Sequence, residues 1–573
     1  MTVPFKAAAI QFEPHFGEKE RNIEALLTLV EEAAKSGAKL ITMPEMATTG
    51  YCWYDRTEVS SFVETIPGPS TDRFAELARE YDCFIVLGLP EVAAESNLYY
   101  NSAALIGPDG LVGVHRKTHP YISEPKWAAS GDLGHQVFDT KIGRIAILIC
   151  MDIHFIETAR LAALGGADVI CHISNWLAER TPAPYWISRA YENGCYLIES
   201  NRWGLERGVQ FSGGSCIIAP DAEILAVIDD GDGIAYGTID PARVRLRRVS
   251  GEPIMNQRRP ELYMELMTNT FSWNPNEFFR LYGHEPIPEG RRACVAVGEF
   301  TPAADIHENL QTVMRLTEDA KARGAELVVF PAFALTGSTD PRTAAVPATD
   351  PSLETLKTLS DKLDVSIVVG FAERDNAAFY SSAAIMTPSR AIAVYRQIHL
   401  TEREQVWATH GSEFCVLDLA FGRVGVMIGH DAAFPETARI LALRGCDLIC
   451  CPASLQSGFH FGHEGSAVRQ PDPIPFGSDP VHWHHYRVRA GENNCYLAFA
   501  NTRAMESNTA GLSGIFGPDT FAFPRKEAII HDGDLAVAEI DLSNIGPTYP
   551  TNVARRKDLM LMRQPHHYEP LVR

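Results

Sequence analysis

Three side chains in the first half of the chain are of the types that covalent catalysis uses. Glu45 stands in MPEMATTGY, Lys117 in HRKTHPY and Cys150 in ICMDIHFIETAR. A thiol can act as a nucleophile, a carboxylate can accept its proton, and an ammonium can stabilise negative charge that forms on a substrate. Each residue alone also fits an ordinary role, because free cysteines are commonly buried and single charged residues commonly lie in solvent.

The runs around these residues predict where they lie. Cys150 ends an apolar run that reads as a buried strand, and it precedes FIETARLAALGG, which reads as a helix. A thiol at a strand-to-helix turn can face a pocket, and the positive end of the helix favours its thiolate. Glu45 follows a strand that ends with Pro44. We therefore expect it at a strand edge, where pockets form.

The chain contains one scaffold twice, and the second copy lacks all three reactive residues. Residues 143–170 and 422–449 align without a gap, and about half of their residues are identical. In the second copy the columns of Glu45, Lys117 and Cys150 hold Ala332, Gln397 and Gly429. The repeat indicates one working site and one copy without nucleophile, base or ammonium.

Further matched segments extend the repeat over nearly the whole chain. FIVLGLPE matches SIVVGFAE, RAYENGCYLIESNR matches RAGENNCYLAFANTR, and RRPELY at the end of the first copy is matched to RRKDLM. In each copy short β-branched runs alternate with amphipathic stretches, such as NIEALLTLVEEAAKSG after AAAIQF. This alternation predicts α/β domains in which helices cover the sheets.

The predicted domain boundary lies in the Pro- and Gly-containing stretch WNPNEFFRLYGHEPIPEGRR. We expect a catalytic domain over residues 1–280, a linker over residues 281–291 and a catalytically silent domain over residues 292–573. The second copy also has an insertion near residues 459–485 that is rich in Gly, Pro and His and reads as a loop. Its histidines show no metal-ligand spacing, so no metal site is expected there.

Composition excludes several classes of protein. The chain has 573 residues and a net charge of −21, which argues against a general nucleic-acid binder. No apolar run is long enough to span a membrane, and MTVPFKAAAIQF does not read as a secretory leader. We therefore expect a cytoplasmic protein with no membrane partner. The twelve cysteines follow no zinc-ligand pattern, and disulfides are not expected in a reducing compartment.

With these motifs, the chain resembles the nitrilase superfamily of carbon–nitrogen hydrolases. The spacing and flanking residues of Glu45, Lys117 and Cys150 match that family, and RRPELY is another family trait. The resemblance covers both halves and implies an α/β fold of two tandem αββα sandwich domains. Family members pair through the helix after the cysteine, and FPETARILALRG retains that helix in the second copy. We therefore expect an intramolecular pseudo-dimer, with further assembly into a homo-oligomer left open.

The resemblance also implies a role for each reactive residue. Glu45 acts as the general base, and Cys150 forms a covalent acyl intermediate. The Lys117 ammonium and the backbone N–H of Met151 hold the oxyanion. A second glutamate, Glu124, orients the substrate and assists Lys117. No metal or organic cofactor is implied.

Three further residues fall after strands, at expected pocket edges: Tyr51, Asn175 and Trp176. They are candidate substrate contacts, with ordinary loop or core packing as the alternative. In the second copy, Glu404 keeps the column of Glu124. That retention leaves a structural role for Glu124 open as well.

The predicted function is a thiol amidohydrolase that cleaves a small amide or N-carbamoyl compound and releases ammonia. In the family that the chain resembles, the Cys-x-Asp pattern of Cys150 and Asp152 is similar to the amidase and carbamoyl-amide branches. Asp152 also fits a helix N-cap, and Asp431 repeats it in the second copy. The alternatives are a nitrilase that acts on a small nitrile and, from another class, a non-catalytic binding or scaffold protein.

Overall fold

The structure of the protein is a computed structural model. It describes residues 3–177, 181–228, 230–246, 253–269, 287–337, 339–455, 488–503, 511, 513–518, 528–530, 533–543 and 557–573. Two compact units divide between residues 247 and 248, and each is described by itself. The insertion near 459–485 and most of the linker 281–291 lie outside the described residues. The domain bounds 1–280 and 292–573, and the pseudo-dimer, stay predictions.

The first unit alternates strands and helices in the order that the sequence predicts. Its strands are β1 (Phe5–Gln11), β2 (Ala38–Thr42), β3 (Phe84–Val92), β4 (Tyr99–Gly107), β5 (Gly110–Arg116), β6 (Val137–Thr140), β7 (Gly143–Ile149), β8 (Val169–Ser174), β9 (Tyr196–Asn201), β10 (Trp203–Glu206), β11 (Val209–Ser212), β12 (Cys216–Ile218), β13 (Ile224–Val227) and β14 (Gly233–Ile239). Its α-helices are α1 (Lys19–Lys35), α2 (Arg56–Val59), α3 (Pro69–Tyr81), α4 (Ile156–Leu164), α5 (Pro184–Asn193) and α6 (Pro241–Leu246). Short 3-10 helices cover Glu124–Lys126 and Cys150–His154.

Two six-stranded sheets form the centre of the first unit. Their strand orders are β14-β1-β2-β3-β4-β5 and β13-β12-β9-β8-β7-β6, and β10 and β11 form a separate hairpin. The strands β1, β2 and β3 run parallel, as do β7, β8 and β9. The two sheets face each other, because the hydroxyl oxygens of Thr42 on β2 and Ser200 on β9 lie 2.6 Å apart in the interior.

Helices cover the outer face of each sheet. On α1 the buried residues Ile23, Leu26 and Val30 recur at helical spacing and pack with buried residues of the β1–β4 sheet. On the other sheet, a second buried cluster joins α4 to β7 and β8. The layers therefore follow the order helix, sheet, sheet, helix, and the predicted αββα fold class is confirmed.

The second unit repeats this element order. Its strands are β15 (Arg292–Gly298), β16 (Leu327–Val329), β17 (Ser366–Asp375), β18 (Ala378–Met386), β19 (Ala393–Arg396), β20 (Cys415–Leu419), β21 (Gly422–Val426), β22 (Leu448–Pro452), β23 (Tyr496–Ala500), β24 (Gly514–Phe516), β25 (Ala528–Ile529) and β26 (Leu535–Asp541). Its α-helices are α7 (Ile306–Ala322), α8 (Pro341–Ala344), α9 (Pro351–Leu363), α10 (Glu402–Gln405), α11 (Pro435–Leu443) and α12 (Asp558–Leu561). Its 3-10 helices are Ile254–Gln257, Pro260–Leu262, Met264–Met267, Gly429–Ala433, Pro565–His567 and Glu569–Val572.

The sheets of the second unit have the topology and register of the first. Their orders are β19-β18-β17-β16-β15-β26 and β20-β21-β22-β23-β24-β25. Ile145 on β7 pairs with Val169 on β8, and their repeat counterparts Val424 and Leu448 pair on β21 and β22. The register therefore confirms the columns of the sequence repeat, and residues can be compared between copies position by position.

One matched segment differs from the prediction. In both 258–263 and 563–568 a 3-10 turn precedes a tyrosine, and the tyrosine hydroxyl accepts a backbone N–H, at 3.1 Å for Tyr263 and 3.0 Å for Tyr568. The counterpart of RRPELY is thus RQPHHY. The match to RRKDLM is wrong, because part of that stretch forms the α-helix α12.

The second unit takes in a segment that belongs to the first copy by sequence. Residues 253–268 pack within the second unit. Arg258 donates to Glu436 on α11 at 3.0 Å, and the hydroxyl of Tyr263 lies 2.7 Å from His399 Nε2. The second copy therefore has a structural role that does not depend on chemistry: it binds the C-terminal segment of the first copy.

The twelve cysteines are all free. Within the described ranges, no helix is long and apolar enough to cross a membrane. The cytoplasmic location stays a prediction.

Candidate active site

Cys150 lies at a sharp turn between a strand and a helix. β7 ends at Ile149, and Cys150 opens its 3-10 helix with a φ of +44°. Such a left-handed conformation costs a residue with a side chain about 1–2 kcal/mol. The surrounding structure must therefore hold the turn. The α-helix α4 begins after it, at Ile156.

Glu45, Lys117 and Glu124 form a buried charge cluster. Lys117 Nζ lies 2.8 Å from Glu45 Oε1 and 2.5 Å from Glu124 Oε1. All three side chains are at most 1% exposed. Pairing with carboxylates is what lets a buried ammonium stay charged. An ammonium has three N–H donors, so these two contacts leave one N–H for a substrate oxygen.

A glycine lets the Glu45 loop lie against the sheet. A Cβ at Gly88 on β3 would lie 2.4 Å from the Pro44 carbonyl oxygen and 2.9 Å from Glu45 Cα. In the second copy, a Cβ at Gly370 would lie 2.5 Å from the Pro331 carbonyl oxygen. The close approach of this loop is thus a feature of the scaffold in both copies.

Asn101 on β4, which no motif in the sequence indicated, links the two carboxylates. Its Nδ2 donates to Glu45 Oε1 at 2.6 Å and to Glu124 Oε2 at 3.4 Å. The backbone carbonyl of Asn101 accepts the backbone N–H of Lys117 at 2.8 Å. The repeat held a signal for this residue. The column of Asn101 in YNSAALI holds Ser381 in the otherwise similar YSSAAIM.

Tyr51 and Asn175 reach the cluster from two other loops. The hydroxyl of Tyr51 donates to Glu124 Oε1 at 2.6 Å. Asn175 follows β8, and it donates to Glu45 Oε2 from its backbone N–H at 2.8 Å and to the Glu45 carbonyl from Nδ2 at 3.0 Å. Because Glu45 follows a strand of one sheet and Asn175 a strand of the other, these bonds tie the two sheets together at the site.

Met151 follows Cys150 in the chain, Trp176 follows Asn175, and both side chains are buried. Met151 is buried in the turn after Cys150. Trp176 is buried, and its ring stacks on His154 with 4.9 Å between centroids. Their predicted substrate contacts stay predictions. Across the described ranges, no group of three or more His, Cys, Asp or Glu side chains is arranged to hold a metal ion.

The charges in the cluster, together with burial, determine which of its side chains are protonated at neutral pH. Burial alone would lower the pKa of Lys117, but the charges of Glu124 and Glu45 outweigh burial and raise this pKa well above its ordinary value. Burial raises the pKa of Glu124, against the effect of the Lys117 ammonium. Burial, together with both carboxylates, raises the pKa of Tyr51. At neutral pH Lys117 is therefore charged and Tyr51 neutral.

The Cys150 thiol keeps its proton at neutral pH. Burial raises the pKa of Cys150 well above its ordinary value, and Glu45 adds to this effect, while Lys117 and the Asn175 backbone N–H oppose it. The expectation that a helix end favours the thiolate is therefore not met. α4 begins only at Ile156, and the influence of a helix end fades within about one turn. A base must take the proton.

Asp152 holds the turn that Cys150 opens, and Asp431 holds the matching turn of the second copy. Asp152 Oδ2 accepts the backbone N–H of Ile149 at 3.1 Å, and its Oδ1 accepts that of His119 at 3.0 Å. Asp431 makes the corresponding bonds in the second copy, at 3.0 and 2.8 Å. Because the copy without a nucleophile keeps this clamp, the scaffold accounts for Asp152. The Cys-x-Asp pattern therefore carries little information about the substrate.

The second copy keeps the backbone of the site without its reactive groups. Gly429 has a φ of +42° at the column of Cys150. Ala332 is buried at the column of Glu45, and Gln397 at the column of Lys117 donates to Glu404 Oε2 at 3.1 Å. These three columns hold no nucleophile, base or ammonium.

Glu404 is retained for a local reason that Glu124 does not share. Its Oε2 accepts the backbone N–H of Thr401 at 2.7 Å and the Thr401 hydroxyl at 2.9 Å, in a capping box at the start of α10. Glu124 instead contacts Lys117 and Tyr51. The retained column is thus no argument that Glu124 is merely structural.

Comparison with known proteins identifies the family. The profile described as "Carbon-nitrogen hydrolase" matches twice, at residues 6–249 and 294–549. The chain belongs to the carbon–nitrogen hydrolase family and carries two copies of its domain, which agrees with the resemblance to the nitrilase superfamily.

Single-copy relatives match about half of the chain. A protein named nitrilase from Pyrococcus abyssi is 37% identical over 45% of this chain and 98% of its own length. Omega-amidase NIT2 from Bos taurus is 29% identical over 45% of this chain and 96% of its own length. Citrullinase from Francisella tularensis is 30% identical over 46% of this chain and 98% of its own length. A solved amidase from Nesterenkonia sp. is 22% identical, with a TM-score of 0.37 over 43% of this chain and 93% of its own.

Proposed function

We propose that the protein is a thiol amidohydrolase that cleaves a small amide or N-carbamoyl compound and releases ammonia. One observation carries this proposal: a buried lysine bridges two carboxylates, and these three charges act on the buried thiol of a cysteine held in a left-handed turn. The names of the relatives, which include omega-amidase and citrullinase, fit a reaction at a carbon–nitrogen bond.

In the acylation step, Glu45 takes the thiol proton of Cys150 as the sulfur attacks the carbonyl carbon of the substrate. The carbonyl electron pair moves to oxygen, and this oxyanion accepts the remaining N–H of Lys117 and the backbone N–H of Met151. The C–N bond then breaks, and the nitrogen leaves as ammonia with the proton that Glu45 had taken. Since the pKa of Cys150 is raised, proton transfer to Glu45 has to accompany the attack.

In the hydrolysis step, Glu45 takes a proton from water as the water oxygen attacks the thioester carbonyl. The C–S bond breaks, and the Cys150 sulfur recovers its proton from Glu45. The products are an acid and the free thiol. The electron count closes without an oxidant or a reductant, so the reaction as written requires no redox cofactor.

Glu124 and Asn101 hold the side chains of Lys117 and Glu45 in place during both steps. Glu124 shares the Lys117 ammonium with Glu45, and Asn101 donates to both carboxylates. With two carboxylates on one ammonium, Lys117 stays protonated through the cycle. We assign Glu124 to hold Lys117 toward the substrate oxygen, and Asn101 to hold Glu45 in place.

Ammonia release over a panel of small amides, N-carbamoyl compounds and nitriles tests the proposal. We expect release from an amide or an N-carbamoyl compound, its loss in Cys150→Ala, and its retention in Cys294→Ala, which removes a partly exposed thiol of the second copy. Release that survives Cys150→Ala, or none from any compound, would contradict the proposal. Release from nitriles alone would favour the nitrilase alternative. That alternative agrees with the name of the Pyrococcus abyssi relative.

A further inference from the structure

A buried polar trio contacts the backbone of the nucleophile, and the mechanism above does not use it. His172 and Ser174 lie on β8 and Glu199 on the neighbouring strand β9. His172 Nε2 donates to the carbonyl oxygen of Cys150 at 3.0 Å. His172 Nδ1 contacts Glu199 Oε2, and the Ser174 hydroxyl donates to Glu199 Oε1. All three side chains are fully buried.

The contacts fix the orientation of the imidazole. A carbonyl oxygen can only accept, so Nε2 must carry a hydrogen. Nδ1 and Glu199 Oε2 form the second hydrogen bond of the ring. Burial lowers the pKa of His172, but the Glu199 charge and the Cys150 carbonyl outweigh burial and raise it. The carboxylate therefore keeps the Nε2 hydrogen directed at Cys150.

The second copy shows that the fold does not require this trio. Strand register aligns His172 with Cys451 and Glu199 with Phe499, since each pair is matched across neighbouring parallel strands. Ser174 aligns with Ala453 in the same repeat. The same strands thus carry Cys451, Ala453 and Phe499 in the copy with Gly429, where the Cys451 thiol contacts the Gly429 backbone and these three columns hold no imidazole or carboxylate. Replacing a buried ionic pair by apolar residues is often neutral or stabilising, so the trio is not explained by stability.

The backbone conformation of Cys150 explains why the first copy needs a further contact at this turn, in addition to Asp152. Cys150 has a φ of +44°, which is strained for a residue with a side chain, while Gly429 adopts +42° at little cost. The copy with the strained residue holds that residue's carbonyl from His172. The copy with glycine has no imidazole at this position.

We propose that His172, oriented by Glu199 and Ser174, is a positioning residue that fixes the Cys150 carbonyl and so holds the left-handed turn that aims the thiol at the substrate. The inference deepens the proposed function and depends on it only where turnover is measured. Its structural part concerns the coupling between residues 150 and 172, and that coupling can be measured without any substrate.

The first test is a double-mutant cycle on thermal stability in the full chain. His172→Phe removes the hydrogen-bond donor and keeps a ring. In the Cys150 protein we expect it to lower Tm by roughly 2–4 °C more than in a Cys150→Gly background, where glycine relieves the strain. Equal shifts in the two backgrounds would overturn the proposal. If His172→Phe alone fails to fold, folding recovered by Cys150→Gly supports the proposal, and failure in both backgrounds contradicts it.

The second test is a set of variants read by the rate of acylation. A triple variant with the second copy's residues, His172→Cys, Ser174→Ala and Glu199→Phe, is expected to lower Tm no more than His172→Phe does and to lose acylation about 100-fold, since misplacement near 1 Å has that cost. Glu199→Leu should lose activity, whereas Glu199→Gln should keep most of it, because its amide can donate to Nδ1 and leave the hydrogen on Nε2.

The second test needs a control variant on β8. Cys171→Val changes the neighbouring residue of β8 on the opposite face and controls for general damage to the strand. Full acylation by the triple variant would overturn the positioning role. If the wild-type protein itself shows no turnover, the proposed function fails, and the stability cycle still decides the coupling between His172 and Cys150.

Discussion

Cys150 and Gly429 occupy the same turn of the two copies, with φ of +44° and +42°. The loops that face these turns approach their sheets equally closely, as Gly88 and Gly370 show. Around this shared backbone the first copy places the Cys150 thiol and a buried charge cluster, and the second places Ala332 and Gln397. The comparison separates the geometry of the site, which the scaffold supplies, from its chemistry, which a few side chains supply.

Columns that persist in both copies mark the scaffold. Arg189 donates from Nε to the Ile153 carbonyl at 3.0 Å, and Arg489 donates to the Ala432 carbonyl at 2.9 Å. Asp152 makes its pair of backbone bonds in the first copy and Asp431 makes them in the second. Columns that are lost together mark the chemistry. Asn101 and His172 change in the second copy along with Glu45, Lys117 and Cys150, although neither was singled out from its motif.

The largest predicted effect comes from introducing the side chain of the second copy at Lys117. Lys117→Gln keeps a donor and removes the charge that faces the oxyanion. We expect kcat/KM to fall about 10²–10³-fold, the usual effect of losing one oxyanion donor. The reciprocal Gln397→Lys should leave turnover unchanged. Comparable losses in both variants would break the distinction between an active and a silent copy.

The pH dependence of Cys150 alkylation is the next largest effect. Since the pKa of Cys150 is raised well above its ordinary value, the thiolate fraction at neutral pH is small and grows tenfold with each pH unit. The alkylation rate at Cys150, followed by peptide mapping with iodoacetamide, should rise roughly 100-fold from pH 7 to pH 9 without levelling off. A plateau below pH 8 would instead show a thiolate favoured by the helix end.

A smaller effect is expected at Asn101. Asn101→Ser introduces the residue of the second copy and removes the donor to Glu45 and Glu124. Hydrogen bonds to charged groups contribute about 1.5–3 kcal/mol, so kcat/KM should fall roughly 10–100-fold. Glu124, whose pKa is raised by burial, loses a donor to its charged form, so its pKa should rise further and the acidic limb of the kcat/KM profile should move to higher pH. Ser381→Asn is the matched control, and an unmoved profile would contradict the role of Asn101.

The smallest effect sharpens the comparison of the two retained glutamates. Glu404→Ala removes a capping box and should lower the free energy of unfolding by about 1 kcal/mol while turnover stays unchanged. Glu124→Ala should reduce turnover, since its carboxylate holds Lys117. Denaturant unfolding and steady-state kinetics on both variants check this. Loss of turnover in Glu404→Ala would show that the second copy takes part in the chemistry.

Sequence periodicity was sufficient for the fold class but not for the layering. The alternation of strands and helices and the repeat columns predicted two copies of one α/β scaffold, with which the strand register agrees, and the family resemblance implied the αββα order of the layers. The positions of Glu45 and Cys150 at strand ends also followed from their motifs, because each lies where an apolar run stops. These features are local in the chain, and local patterns report them.

Features that depend on packing were not predictable in this way. Asn101 and His172 lie inside strands, and their contacts arise only when strands and loops distant in sequence become neighbours. The proton on Cys150 depends on burial, which outweighs the helix end that the motif indicated. The counterpart of RRPELY was missed because RRKDLM and RQPHHY each share three of its six residues, and only the backbone geometry separates the two candidates.

The central claim is that one copy carries out the chemistry and the other does not. Its most direct test is the intact mass of the full chain, quenched in acid during turnover of an amide that releases ammonia. The account predicts one acyl group per chain, mapped by peptide digestion to Cys150, with none on residues 292–573. Two acyl groups per chain, or an adduct within the second copy, would contradict it.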